Sequence, residues 1–269
     1  MTDLERLRAH LQDLGRVVLG YSGGVDSALL AVAGTTALGP TRFRAVIGRS
    51  ASYPAAHHQA ALDVARRHSI PLVEVDTDEL NDPRYLANAP DRCYYCKSEL
   101  WSVLERVRAE LGFDVIIDGT NADDLGQHRP GLRAADERGV RSPLAELGWT
   151  KTMIRAAAHE LGLPQWDAPA SPCLSSRIKY GLAVTPARLA QVEQGEAYLR
   201  AAGVTGDLRV RHLGDGARIE VSPTQFSRIE SRWDSVERVF IELGFTTVEL
   251  DPSGYRRGSL LVLDGTSQA

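Results

Sequence analysis

Residues 16–27 read RVVLGYSGGVDS. The first five, RVVLG, form a short apolar run fit for a buried strand, and the residues after Ser27 switch to helical spacing. Between them lies a loop with two adjacent glycines. Gly23 and Gly24 let the backbone approach an anion closely. Successive N–H groups and the helix start behind them supply donors and partial positive charge. Ser22 and Ser27 add hydroxyls. Asp26 is the odd member: a carboxylate beside phosphates is repelled unless a cation sits between them. The loop therefore predicts pyrophosphate held with Mg²⁺. Its alternative is a glycine-rich helix start with Asp and Ser as caps. It matches neither the lysine-bearing phosphate loop nor the dinucleotide fingerprint.

Outward from this loop, strands alternate with helices. FRAVIGRS (43–50), IPLVEVDTDEL (70–80) and FDVIIDGTNADD (113–124) each contain a strand, with AAHHQAALDVARRHS and ELWSVLERVRAELG as helices between them. Alternation of this kind requires crossovers and a parallel sheet. The expected fold is α/β, a parallel sheet with flanking helices, followed by a smaller C-terminal α+β domain. The expected boundaries are 1–166 for the nucleotide domain, 167–184 for a proline-rich linker that still carries function, and 185–269 for the second domain. Within the last, DLRVRHLG and ARIEVS read as a hairpin turning near 214–216, TTVEL as a strand, and SLLVLD (259–264) as another.

The composition is ordinary for a globular protein: 269 residues, 43% hydrophobic and 25% charged. The net charge of −4 argues against a general nucleic-acid binder. MTDLERLRAHLQDLG places Leu4, Leu7, Leu11 and Leu14 on one helical face and has no targeting pattern, and no apolar run is long enough to span a bilayer. The expected compartment is cytoplasmic, with thiols reduced, metal-bound or reactive.

Two other strand ends should open onto the same crevice, because ligands of parallel sheets bind at the carboxyl edge. One carries Arg49, which could reach phosphate or ribose or stay on the surface. The other, Asp118 through Asp124, combines the turn residues Gly119, Thr120 and Asn121 with clustered carboxylates suited to Mg²⁺, or is a plain strand-to-helix turn.

The chain has three cysteines. Cys93 and Cys96 form a C-x-x-C at a helix start behind Asp91, where the helix terminus, Arg92 and Lys97 favour thiolate. Cys173 stands apart in SPCLSSRIKYG. Spacing leaves open a redox dithiol, a zinc site completed by a histidine such as His128, and an iron–sulfur cluster with one open iron. Further on, Arg209 and Arg211 share one strand face, where two guanidiniums await either an anion or cross-strand acids such as Glu220. Glu193 and Glu196 on the preceding helix are bases or solvated charges.

Taken in order, YSGGVDSALL, IGRS, C-x-x-C-K-x-E-L, DGTNADD, HRPGLRAA, VRSPL, PCLSSRI-x-YG and RVRHLG resemble the LarE family of the PP-loop ATP pyrophosphatases. The family's members are ATP-dependent sulfur transferases that build the nickel-pincer nucleotide of lactate racemase. The resemblance implies a small nucleotide substrate, pyridinium-3,5-biscarboxylic acid mononucleotide, whose carboxylates are adenylated and converted to thiocarboxylates. It implies ATP and Mg²⁺ at Ser22, Gly23, Gly24, Val25, Asp26, Ser27, Arg49, Gly119, Thr120, Asn121 and Asp124. It implies substrate at Ser176, Arg177, Glu196, Arg209 and Arg211, and a homo-oligomer. Family members with one cysteine, matching Cys173, consume it as the sulfur donor; three-cysteine members hold a [4Fe–4S] cluster. With Cys93, Cys96 and Cys173 present, this chain is expected to use the cluster, with Asp26 and Cys173 as its catalytic residues. A consumed Cys173 and a tRNA thiolase are the alternatives.

Overall fold

The computed structural model describes residues 1–126, 130–169 and 172–256. His128 and the last expected strand, 259–264, lie outside them. The chain forms two compact units, the first made of Met1–Ser50, Ala55–Glu79 and Cys93–Ala170, the second of Ala51–Pro54, Leu80–Arg92 and Ser171–Ala269.

In the first unit, α1 (Asp3–Asp13) leads into β1 (Val17–Gly20), α2 (Val25–Leu38), β2 (Phe43–Arg49), α3 (Ala55–Arg67) and β3 (Leu72–Asp76). The four strands are parallel and ordered β3-β2-β1-β4, where β4 is Val115–Ile117. The α/β expectation for this part of the chain holds. Val17, Val18 and Leu19 are wholly buried, and α2 is buried almost all round, as a helix without a polar face must be. Leu4, Leu7 and Leu11 form the core face of α1.

The chain moves from β1 outward to β3 and then returns to pair β4 on the other side of β1. The reversal of direction falls between β1 and β4, so the crevice of this sheet opens at the carboxyl ends of those two strands.

The long helix α5 (Arg92–Leu111) lies close against the sheet through its Cys93–Leu111 part. A Cβ on Gly20 would stand 2.9 Å from the Trp101 ring, and one on Gly48 would stand 3.0 Å from Leu100. Leu104 is fully buried on that face. Leu111 lies at the helix end and is exposed. After β4 come α6 (Pro130–Asp136), α7 (Pro143–Glu146) and α8 (Lys151–Glu160).

The second unit includes the short helix α4 (Pro83–Leu86), then α9 (Pro186–Ala201), β5 (Leu208–His212), β6 (Gly216–Val221), α10 (Phe226–Glu230), α11 (Trp233–Glu242) and β7 (Thr247–Leu250). β5 and β6 are the expected hairpin, and β6 pairs parallel with β7. Phe240, Phe245, Val210, Ile219 and Leu199 form its core. Helices and strands are mixed in this unit, an α+β arrangement.

Candidate active site

The loop after β1 is shaped by its own hydroxyls. Gly23 adopts a left-handed φ of +70°, which a side chain would strain. The Ser22 N–H donates to Ser27 Oγ (3.2 Å), and Ser27 Oγ donates to the Gly24 carbonyl (3.1 Å). Gly24 caps α2 without a side-chain acceptor. The first N–H groups of this 14-residue helix are therefore not capped by the residue that starts it, the arrangement that receives anions.

Asp26 sits at the centre of the crevice. Its carboxylate accepts from Lys151 Nζ at 2.6 and 2.8 Å and from Asn121 Nδ2 at 3.3 Å. The turn after β4 approaches equally closely: a Cβ on Gly119 would stand 3.1 Å from the Ser27 backbone nitrogen and 3.2 Å from Asp26 Cβ. Only glycine lets the two turns meet without a shift.

The carboxylates of that turn are engaged locally. Asp118 accepts from the Thr120 N–H and hydroxyl and from Ser142 Oγ. Asp123 accepts from the Lys151 N–H at 2.7 Å, and Asp124 accepts from the Asn121 N–H. They act as turn and helix caps, and Asp26 is the carboxylate set beside the phosphate-type loop. Arg49 makes a two-pronged pair with Asp76, its register partner on β3, at 2.9 Å through both nitrogens.

Two residues here were absent from the expectations. Lys151 is the first residue of α8, capped by Thr150. A cation at a helix N-terminus opposes the helix dipole, and that misfit is the signal that marks it. Gln165 donates to the Gly23 carbonyl at 3.2 Å.

The second unit gathers the expected substrate residues. Arg177, Arg209 and Arg211 are each at least 95% buried. Arg177 forms a fork with Glu196 (3.0 and 3.2 Å), whose Oε1 also accepts from the Val210 N–H. Arg211 donates to Glu220 at 2.9 Å and to the Ser176 carbonyl at 2.9 Å. Glu196 is thus a structural acceptor for β5 as well as an ion-pair partner. Arg209 donates to the Leu208 carbonyl and lies over the Tyr255 ring, 5.3 Å from its centre. Its pKa is lowered by burial first and by the Arg177 charge second. An anion beside it would relieve both.

The three cysteines are in no disulfide, Cys93 exposed and the other two half-buried. Cys93 and Cys96, three apart on α5, share one helix face. Cys173 precedes the turn Leu174–Arg177, where its carbonyl accepts from the Ser176 N–H and hydroxyl and from Arg177. Among the described residues, no group of three His, Cys, Asp or Glu side chains is gathered tightly enough to hold a metal ion. The donor set itself, three soft thiolates, suits iron–sulfur chemistry.

A family profile described as NAD synthase matches residues 5–87, the stretch that contains the glycine-rich loop. An uncharacterized protein of Synechocystis is 42% identical over 259 residues, 96% of either chain. The pyridinium-3,5-bisthiocarboxylic acid mononucleotide synthase of Lactiplantibacillus plantarum is 37% identical over 254 residues, 94% of this chain and 92% of its own. An uncharacterized protein of Methanocaldococcus jannaschii is 29% identical over 241 residues, 90% of this chain and 91% of its own. With a glycine-rich loop and Asp26 at the switch point of a parallel sheet, and with this likeness running nearly end to end, the chain belongs to the LarE family of PP-loop, ATP-dependent sulfurtransferases.

Proposed function

We propose that the chain adenylates the carboxylates of pyridinium-3,5-biscarboxylic acid mononucleotide and converts them to thiocarboxylates. The observation that carries this reading is Asp26, held by Lys151 and Asn121 beside uncapped helix donors where β1 and β4 end. That arrangement suits a triphosphate. Ser22, Gly23, Gly24, Val25 and Ser27 cradle it, and Asp26 meets its Mg²⁺. Lys151 then turns from the carboxylate to a phosphoryl oxygen. Gly119, Thr120, Asn121 and Asp124 shape the facing wall, and Arg49 lies at the neighbouring strand end.

A substrate carboxylate oxygen attacks the α-phosphorus, and pyrophosphate leaves with the bond electrons. A sulfur nucleophile then adds to the acyl carbon and expels AMP, leaving a thiocarboxylate. The cycle runs once per carboxylate. Arg209, Arg211, Arg177 and Ser176 bind the mononucleotide's phosphate and carboxylates, with Glu196 holding Arg177 in place. Catalysis of this kind is positioning plus charge stabilisation around the transferred group. Cys93, Cys96 and Cys173 are the residues that would hold a [4Fe–4S] cluster, and such a cluster supplies a sulfide that stays deprotonated near neutral pH. The reading carries a cytoplasmic location and a homo-oligomeric assembly, as the family resemblance implies. Among the described residues, no helix is long and apolar enough to cross a membrane.

The test is iron and acid-labile sulfide on anaerobically reconstituted protein, followed by product analysis. About four irons per chain, lost in Cys93→Ala together with thiocarboxylate formation, is the expected result. Product without iron, with Cys173 converted to dehydroalanine, would replace the cluster by a consumed cysteine. Adenylation and thiolation of tRNA in place of the mononucleotide would overturn the substrate.

A further inference from the structure

Residues 80–92 lie in sequence between β3 and α5, yet they belong to the second unit. Neither the ATP crevice nor the arginine cluster accounts for them. Three of their side chains are deeply buried: Tyr85, Asn88 and Arg92. α4 is capped by Asp82, and just past its end Asn88 turns left-handed at φ +54°.

From that position Asn88 reaches an irregular segment that has no ladder of its own. Its Nδ2 points at the carbonyls of Ile178 (3.3 Å), Lys179 (2.9 Å) and Leu182 (2.9 Å). Its own carbonyl accepts from the Gly181 N–H. Arg92 Nη1 donates to Asn88 Oδ1 and, at 2.9 Å, to the Ser175 carbonyl. The Tyr85 hydroxyl lies 2.6 Å from Ser175 Oγ. The Val184 N–H donates to the Leu86 carbonyl, and the Leu174 N–H donates to the Ser52 carbonyl. Buried carbonyls in a loop need donors from elsewhere, and this short stretch supplies them.

We infer that Tyr85, Asn88 and Arg92 are positioning residues that hold the turn bearing Cys173 and so set how its thiol is presented. Ser175, which two of them grip, is two residues beyond Cys173. From the other side, Ser176 and Arg177 grip the Cys173 carbonyl. A sulfur that must meet an acyl carbon or an iron has to be held to about half an ångström, and a proline-rich loop alone does not do this. The catalytic consequence rests on the sulfur-transfer reading; the positioning does not.

The experiment is alkylation of the metal-free full chain with iodoacetamide, each cysteine read separately by peptide mass spectrometry. Asn88→Gly keeps the left-handed backbone and removes every side-chain bond. Tyr85→Phe removes the hydroxyl that meets Ser175 and leaves the Asn88 bonds in place, and it decides alone should Asn88→Gly fail to fold. The expected result is a change in the Cys173 rate of about tenfold in Asn88→Gly and about threefold in Tyr85→Phe, with Cys93, Cys96 and ATP affinity near wild type. An unchanged Cys173 rate in the folded variants overturns the inference. So does a parallel rise at all three cysteines, which would mark general loosening. Thiocarboxylate formation by the same proteins after anaerobic cluster reconstitution separates the two claims. The Cys173 pattern in the variants beside a reconstituted wild type that makes no product sinks the sulfur-transfer reading and leaves the positioning role standing. Undiminished product in a variant whose Cys173 rate has shifted overturns the link to catalysis.

Discussion

Replacing Lys151 by methionine separates the two things this lysine could be doing. It keeps the length of the side chain and removes the charge that sits 2.6 Å from Asp26. As a stabilising ion pair the contact is weak. The lysine side chain is 38% exposed and the aspartate 21%, so water screens the attraction, and pairs of this kind contribute about 0.2–1 kcal/mol. In a chain of this size that is a shift in melting temperature of roughly 0.5–4 °C. As a phosphate ligand the same group is worth far more. Removing a preorganised donor from the developing charge of a transition state costs about 10²–10³ in rate. The assay is pyrophosphate release with Mg-ATP and the biscarboxylate mononucleotide, run beside a thermal melt. A hundredfold or greater loss (about 2.7 kcal/mol) with a nearly unchanged melt is expected. Release within about threefold of wild type would refute the reasoning. So would a melt lowered by some 10 °C, which would make the pair architectural.

Gly119→Ala places a methyl 3.1 Å from the Ser27 nitrogen; pyrophosphate release should fall about tenfold at a stability cost of about 1 kcal/mol, and a wild-type rate would show that the two turns need not meet. Arg209→Ala and Arg211→Ala should each raise KM for the mononucleotide while leaving ATP affinity intact, and equal losses for both ligands would make the cluster structural. Arg211→Ala should also melt earlier, since it takes a buried guanidinium away from the wholly buried Glu220. His212 is held neutral, its pKa lowered from 6.5 to about 4 by burial first and by the Arg188 charge second. The unfolded chain therefore binds a proton that the folded chain refuses between those values. The stability this contributes is present above pH 6.5 and is lost as pH falls toward 4, about 3 kcal/mol in all. Urea melts of His212→Gln should show a flatter dependence across that window, and a slope equal to wild type would contradict the assignment.

The parallel sheet was legible because its signals are local. Each strand is an apolar run closed by a glycine or a carboxylate, and the loop at 22–27 follows the first of them directly. The β5–β6 hairpin was legible for the same reason. What escaped reading is long-range. Lys151 meets Asp26 across 125 residues, and KTMIR reads only as a helix start. The assignment of 51–54 and 80–92 to the second unit leaves no mark in composition, because their hydrogen bonds reach a segment about 120 residues beyond the first stretch and about 90 beyond the second. Arg49 is instructive in the other direction. Its place at a strand end was readable, but its partner Asp76 follows from the β2–β3 register, which periodicity alone does not fix. The carboxylates at 118–124 were legible as a group; their use as caps emerged only with Ser142 and the Lys151 N–H in view.

The seating of α5 on Gly20 and Gly48 bears on how this enzyme could be rebuilt. Trp101 and Leu100 already stand as near the sheet as a bare backbone permits. A side chain at Gly20 would press on the rigid Trp101 ring and push the helix outward, Cys93 and Cys96 with it, whereas one at Gly48 meets the end of the Leu100 side chain, which can turn aside. The height of the thiol pair above the sheet therefore depends first on Gly20, with Gly48 easing the fit, and neither position touches sulfur or phosphate. A C-x-x-C grafted onto a relative that lacks these glycines would bring the right atoms to the wrong level, so an exchange of sulfur chemistry between relatives has to carry the strand glycines along with the cysteines.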